Sequence, residues 1–238
     1  MTNDNDARKK VTEIINRAQN NKEHINGMEI SSEIDLSFSD FTEIMADCLY
    51  ANEVNFKASS FVGVSFRDCE FIAANFESCN LEKAEMLDSV MSRANFREVQ
   101  MKYAQIIVST CIETCFDGVN FTKGNLSGST LLEAKFRKAD LSEINADETF
   151  FDRADLTGAI LINGNFNGSD FIDANLTDVD ARNADFKNAD LSGAILCNGN
   201  FAGVDFTNTQ LNGVKWTGAN IEGATFDDGI KENIDKLI

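Results

Sequence analysis

The chain has no proline, one histidine, one tryptophan and two tyrosines in 238 residues. Proline would break a helix interior or remove a donor from a sheet, so its absence leaves the whole length open to continuous backbone hydrogen bonding. Imidazole chemistry has a single candidate, His24, which sits in a polar connector near the N-terminus and belongs to no motif. No apolar run approaches the roughly 20 residues of a membrane span. The polar stretch from Met1 to Lys10 has no apolar segment after it of the kind that marks export, so a cytoplasmic location is expected. Positive charge is also scarce: 21 Lys and Arg face 39 Asp and Glu, a formal charge of −18. Such a surface repels phosphate, which argues against direct nucleic-acid or membrane binding and for a protein partner. The six cysteines, Cys48, Cys69, Cys79, Cys111, Cys115 and Cys197, show no metal or redox spacing and read as small buried or surface thiols.

What is abundant is phenylalanine, nineteen of them, and their placement is periodic. Stepping by five from Leu36 through Phe41, Ala46, Ala51 and Phe56 to Phe226 gives 39 positions, all apolar, which hold seventeen of the nineteen. A second line two residues earlier, from Ile34 and Ser39 to Ala224, contains only Ala, Val, Ile, Leu, Cys, Ser, Thr and Gly. Asn and Asp are enriched between the two lines, and the two residues after each large one are mostly polar or Gly. A step of five would scatter the large residues around a helix, and on a continuous strand it would alternate them between faces. The pattern therefore predicts a short inside–outside–inside triplet followed by a corner that aims the next triplet at the same axis. Stacked coils of this kind place large residue over large residue, and Phe56, Phe76, Phe96, Phe116 and Phe136 are expected to form one such column. Asn, Asp and Gly suit the corners, through side-chain bonds to nearby backbone and tolerance of unusual φ/ψ.

The stretches Ala154-Asp155-Leu156-Thr157-Gly158, Ala174-Asn175-Leu176, Ala184-Asp185-Phe186 and Ala189-Asp190-Leu191-Ser192-Gly193 resemble the A-(D/N)-L-x-x signature of pentapeptide-repeat proteins. The resemblance covers residues 34–228. It implies an all-β solenoid: a right-handed quadrilateral parallel β-helix with four pentamers, twenty residues, per coil, and so about ten coils. Residues 1–33 are expected to form an N-terminal capping helix and lead-in. The helix is drawn over 7–19 from Val11, Ile14, Ile15 and Ala18, with Asp4 and Asp6 as N-cap candidates. Residues 229–238 place Ile230, Ile234, Leu237 and Ile238 at helical spacing. This segment either covers the last coil as a helical cap or pairs with a second copy in a homodimer.

No catalytic constellation stands out. Serines and threonines fall on the small-inside line or at corners, aspartates follow the repeat, and no phosphate-cradling loop or metal loop is present. Neither enzyme activity nor a cofactor is expected. Wrapping the chain at twenty residues per coil makes the acidity lopsided. Over 34–228 the side with Leu36 and Phe56 sums to 0 and the side with Phe41 and Phe61 to −3, whereas the sides with Ala46 and Phe66 and with Ala51 and Phe71 carry −8 and −6. The candidate acidic edge comprises Asp47, Glu85, Asp88, Asp147, Glu148, Asp170, Asp173, Asp227 and Asp228. It either keeps a repetitive β-structure soluble or serves as a ligand for a basic groove. Outward apolar residues Leu87, Val90, Ile107, Val108, Ile112, Leu132 and Phe150 gather around the corner between the acidic sides, a candidate contact or self-association patch. The expectation is a non-enzymatic scaffold that binds an unidentified protein through its acidic rod surface. The resemblance implies an alternative, a DNA mimic that modulates a type II topoisomerase such as gyrase. Loops that project from quinolone-protection members have no counterpart here, where the register runs unbroken from Leu36 to Phe226, and no gyrase-contact residue carries over.

Overall fold

The computed structural model describes residues 2–234 and 236–238. Each pentamer makes the same three backbone bonds to its neighbours along the rod. The N–H of the large residue and that of the residue two later both donate to carbonyls nineteen positions ahead, as in Phe56 to Asn75 (2.8 Å) and Ala58 to Glu77 (2.9 Å). The N–H just before the large residue donates back, as in Asn75 to Val54 (2.9 Å). Residues twenty apart are thereby parallel bridge partners, and one column of such bridges runs Asp35, Asn55, Asn75, Asn95, Cys115, Lys135, Asp155, Asn175, Ile195, Lys215. Four pentamers close one coil, giving a quadrilateral parallel β-helix. We number its faces by their large residues: face 1 carries Leu36 and Phe56, face 2 Phe41 and Phe61, face 3 Ala46 and Phe66, and face 4 Ala51 and Phe71. On face 3 the rungs lengthen into three-residue strands, β1 (His24–Asn26), β2 (Met45–Asp47), β3 (Ser65–Arg67), β4 (Glu85–Leu87) and β5 (Gln105–Ile107), in one sheet of that order.

Corners turn because the second residue after each large one is left-handed. From Phe38 to Gly223 every fifth residue has positive φ, between +51° and +74°. Only ten of these are glycine, so most corners hold an ordinary side chain in a conformation that costs about 1 kcal/mol or more. The cost is offset by the coil-to-coil bond that these N–H groups make from Phe38 to Gly203 and by a turn bond such as Ala74 N–H to the Phe71 carbonyl (3.1 Å). Nine of the other corner residues, Asp68 and Asn163 among them, are Asn or Asp, which enter this region readily. A second set of Asn and Asp precedes the large residue in ordinary backbone, and its Oδ1 accepts the N–H two residues on, as in Asn75 to Glu77 (3.1 Å). The enrichment just before the large residue thus reflects the side-chain bond to backbone, while Asn and Asp at the corners themselves take the unusual φ.

All 39 large positions are buried except Leu211 and Phe226, at the C-terminal end. The rings of Phe56, Phe76, Phe96, Phe116 and Phe136 stack with centroids 4.7–5.1 Å apart. Between faces 3 and 4 the small-inside line is polar: Cys69, Ser89, Ser109, Ser129, Thr149 and Ser169 are all buried. Their presence follows from the local backbone. At seven corners the turn bond is missing, and at six of them the orphaned N–H of Ser39, Leu49, Cys69, Ser89, Ser109 or Thr149 donates instead to the hydroxyl or thiol one coil ahead, that of Ser59, Cys69, Ser89, Ser109, Ser129 or Ser169. Among the described residues no buried side-chain polar atom lacks a partner.

The two ends differ. Pairing begins earlier than the lead-in boundary at 33 implies: Ile25 and Ile30 already occupy faces 3 and 4, with His24 opposite Met45 and Glu29 opposite Tyr50. That offset is twenty-one rather than twenty, because one extra residue lies between Ile30 and Leu36, which hid the first half-coil from a strict step of five. Faces 1 and 2 have no coil beneath them, and α1 (Thr2–Asn21) fills that space. It buries Val11, Ile15 and Ala18 and supplies donors to the first coil's free carbonyls: Arg8 Nη2 to Ser37 (2.8 Å), Gln19 Nε2 to Asp40 (3.3 Å) and Thr42 (3.1 Å). The helix runs Thr2–Asn21, so Asp4 and Asp6 lie within it rather than capping it. At the far end α2 (Lys231–Ile234) is a single turn that buries only Ile234, while Leu237 and Ile238 stay exposed. Beneath it a cavity of about 490 Å³ is lined by Leu211, Val214, Trp216 and Ile230 among others. No helix is long and apolar enough to cross a membrane among the described residues.

Candidate interaction surface

The rod presents twelve outward columns, two per face and one per corner, whose members stand about 4.8 Å apart. Chemistry that needs convergent groups has little to work with on such a surface. His24 Nδ1 lies 3.3 Å from Asp47 Oδ2, half-exposed on face 3 of the first coil. No group of three His, Cys, Asp or Glu side chains is placed to hold a metal ion among the described residues. All six cysteines are free. Burial pushes the Cys69 thiol up to about 11 and that of Cys79 up to about 12, and it raises Cys111 as well, so these three are protonated and inert as nucleophiles near neutral pH.

Charge is distributed unevenly around the rod. Faces 1 and 2 pair much of theirs: Lys57 with Glu77 (2.8 Å), Arg137 with Asp155 (2.6 Å), Lys123 with Glu143 (3.4 Å) and Arg182 with Asp180 (2.7 Å). The nine acidic-edge residues lie on faces 3 and 4 but are spread over the full length of the rod, from the second rung of face 3 to its last. Asp88 and Glu148 project from left-handed corners. Glu85 accepts from Gln105 Nε2 and Ser65 Oγ, both at 3.4 Å. Asp227 is not a free charge, because both its oxygens lie 3.1 Å from the Asn208 N–H and terminate the open edge of the last coil.

One acidic grouping whose members act on each other includes two residues outside that set. Asp170 and Asp190 are bridge partners on face 4, Asp152 stands beside them in the neighbouring column, and Asp173 is at the adjacent corner. Burial raises the Asp152 carboxyl, and nearby Asp190 and Asp173 add to the rise; Asp170 is raised by burial, then by Asp152 and Asp190. The twenty-residue wrap aligns 150, 170 and 190, so Asp190 was within reach of the sequence. Its proximity to Asp152 needed the spacing of two columns across one face.

Apolar residues at outward positions also find their places. Leu87, Ile107 and Val108 lie on the face 3 side of the corner, with Val108 61% exposed. Val90, Ile112, Leu132 and Phe150 lie on face 4, half-buried except for Phe150 at 43% exposed. Ile72 extends the Ile112 column by two coils.

A family model described as pentapeptide repeats (8 copies) matches residues 52–86, 74–107, 114–152, 150–188 and 184–223. No curated protein matches the chain. Among solved structures, a trypsin-treated variant of QnrB1, a plasmid-mediated fluoroquinolone resistance protein, aligns with a TM-score of 0.61 at 16% identity, over 83% of this chain and 96% of that one. HetL, involved in heterocyst differentiation regulation in the cyanobacterium Nostoc sp. Strain PCC 7120, aligns at 0.47 and 18% identity, over 90% of this chain and 96% of its own. At such identities the likeness concerns fold.

Proposed function

We propose that this chain, which belongs to the pentapeptide-repeat family, is a non-enzymatic scaffold that binds a protein partner through faces 3 and 4. The observation that carries this reading is the asymmetry of charge: two adjoining faces hold −14 of the total −18, while the other two are nearly neutral and internally paired. A coat that served only solubility would have no reason to leave half the rod neutral. Rigidity supports the reading, since every coil is tied to the next by backbone bonds and the surface needs little ordering on binding. The test is to isolate partners from extracts of the protein's own host, using wild type and the variant Glu85→Lys, Asp88→Lys, Asp147→Lys, Glu148→Lys. A partner held by wild type, released by salt and absent from the variant supports the reading. Identical retention by both proteins refutes it.

A second reading has one supporting observation. Ten coils span about 48 Å, the length of roughly fourteen base pairs, and their acidic faces carry about half the charge of that duplex. QnrB1 is a fluoroquinolone resistance protein of similar fold. If this rod is likewise a DNA mimic that modulates a type II topoisomerase, it inhibits gyrase supercoiling, and inhibition weakens with salt and in the same four-residue variant. No inhibition at saturating protein removes this reading and leaves the first intact.

A further inference from the structure

Face 4 changes character part-way along the rod, from uncharged to acidic, most fully in one of its outward columns. One column runs Val90, Thr110, Thr130, Phe150, Asp170, Asp190 as successive parallel bridge partners. The other, two residues further along the chain, runs Ile112, Leu132, Asp152, Ile172, its members held in step by the coil-to-coil bonds of Arg93, Glu113, Glu133 and Arg153. From Val90 to Phe150 the two columns carry no charge and hold Val90, Ile112, Leu132 and Phe150; beyond them Asp152, Asp170 and Asp190 gather around Ile172. The acidic half is short of cations: none of Asp152, Asp170, Asp173 and Asp190 makes an ion pair among the described residues, and the nearest arginine, Arg153, is engaged by Glu133 at 3.0 Å. Crowding of these carboxylates raises Asp152 and Asp170, a repulsion that a cation on this face would relieve.

We infer that face 4 is a docking strip for an amphipathic helix whose apolar turns cover Val90 to Phe150 and whose next turns carry Lys or Arg onto Asp152, Asp170 and Asp190. Charge complementarity selects a basic occupant, and the adjoining uncharged half, with Val90, Ile112, Leu132 and Phe150, selects one that is apolar along the same face. The repeat selects a helix. Side chains on this strip recur about every 4.8 Å, close to the roughly 5.4 Å turn of a helix lying along the axis, whereas like-facing residues of an extended strand recur about every 6.8 Å. From Val90 to Asp190 the strip spans five coil spacings, about 24 Å, which about sixteen helical residues cover. This inference rests on the protein-binding reading and names the partner's chemistry.

The test uses the full chain and two fluorescein-labelled synthetic 16-residue helical peptides of identical composition. In one, leucines occupy the first half of one face and lysines the second half; in the other the two are interleaved. By fluorescence anisotropy the segregated peptide is expected to bind at least tenfold more tightly. The pair Leu132→Ser, Phe150→Ser and the triple Asp152→Asn, Asp170→Asn, Asp190→Asn are each expected to weaken it about tenfold. All these side chains point outward, and circular dichroism verifies that the coil is intact. The triple Glu82→Gln, Glu98→Gln, Glu222→Gln, which removes equal charge from faces 1 and 2, is expected to change binding less than twofold. Equal binding of the two peptides, or equal loss in the two charge-neutralising triples, overturns the inference as mere attraction between a basic peptide and an acidic protein. If a host partner is lost on charge reversal of face 3 yet keeps its affinity for both face 4 variants, the helix strip is refuted while the scaffold reading stands.

Discussion

Ser109→Ala is the sharpest test of how the corners between faces 3 and 4 are held. Ser109 Oγ accepts the Ser89 N–H at 3.1 Å and donates to the Ile107 carbonyl at 3.0 Å or the Met86 carbonyl at 3.2 Å, all in the interior. The Ser89 N–H has no turn bond to fall back on, so removing the hydroxyl leaves a buried donor without a partner. Such a group costs about 1–3 kcal/mol. At about 2 kcal/mol, and about 2–4 °C per kcal/mol for a chain of this size, the thermal midpoint should fall by about 4–8 °C. Thr114→Val is the control, because Thr114 Oγ1 donates to a Met91 carbonyl that already accepts the Ala94 N–H at 3.0 Å. That variant orphans nothing and should cost less than about 1 kcal/mol. Thermal and urea melts followed by far-ultraviolet circular dichroism measure both. Equal destabilisation, or a neutral Ser109→Ala, would refute the reasoning that the hydroxyl ladder substitutes for missing turn bonds.

Three further outcomes follow from other parts of the rod. Gly164→Ala places a Cβ 2.5 Å from the Phe166 ring and 3.1 Å from the Leu161 carbonyl, an overpacking that should cost about 1–3 kcal/mol in a urea melt. Val108→Asn should stabilise the fold by about 1 kcal/mol, since Val108 is β-branched and held at φ +51°, a region Asn adopts readily; a loss of stability would contradict the assignment of strain. Asp170→Asn should stabilise at pH 7, with the gain vanishing as the pH falls to about 4 and below. The folded carboxyl is raised, so the native state binds more protons than the unfolded chain between the two pKa values and loses stability as pH rises through that window. Removing the ionisable group removes that loss, and melts at pH 7 and pH 3.5 check it.

The fold was legible because one constraint repeats so often. A large apolar residue at every fifth position from Leu36 to Phe226 leaves little choice but a coil with corners, and the burial of Phe116 and Phe121 shows the shared axis. What escaped were departures from strict period. The extra residue between Ile30 and Leu36 masked the first half-coil, and α1 runs to Thr2 because it spans the two faces that half-coil leaves open. The left-handed corner residues were also hidden, since Glu53, Lys83 and Tyr103 have no intrinsic preference for positive φ and adopt it because the coil-to-coil bonds of their N–H groups impose it. On the surface, summing charge by side reveals the acidic faces. The meeting of Asp152 with Asp170 and Asp190, which turns face 4 from uncharged to acidic, depends on the spacing of two columns in the stacked coils.

Everything above depends on a coil of twenty residues that sets Asn95 directly beside Cys115. Asn95→Cys would put two outward thiols about 4.8 Å apart, within reach of the short thiol-bridging reagent dibromobimane. Peptide mapping by mass spectrometry should find residue 95 bridged to Cys115. In the control Gln100→Cys, fifteen residues before Cys115 and on the adjoining face, no bridge to Cys115 should form. Bridging from position 100 in place of 95, or from neither, would contradict the four-sided coil.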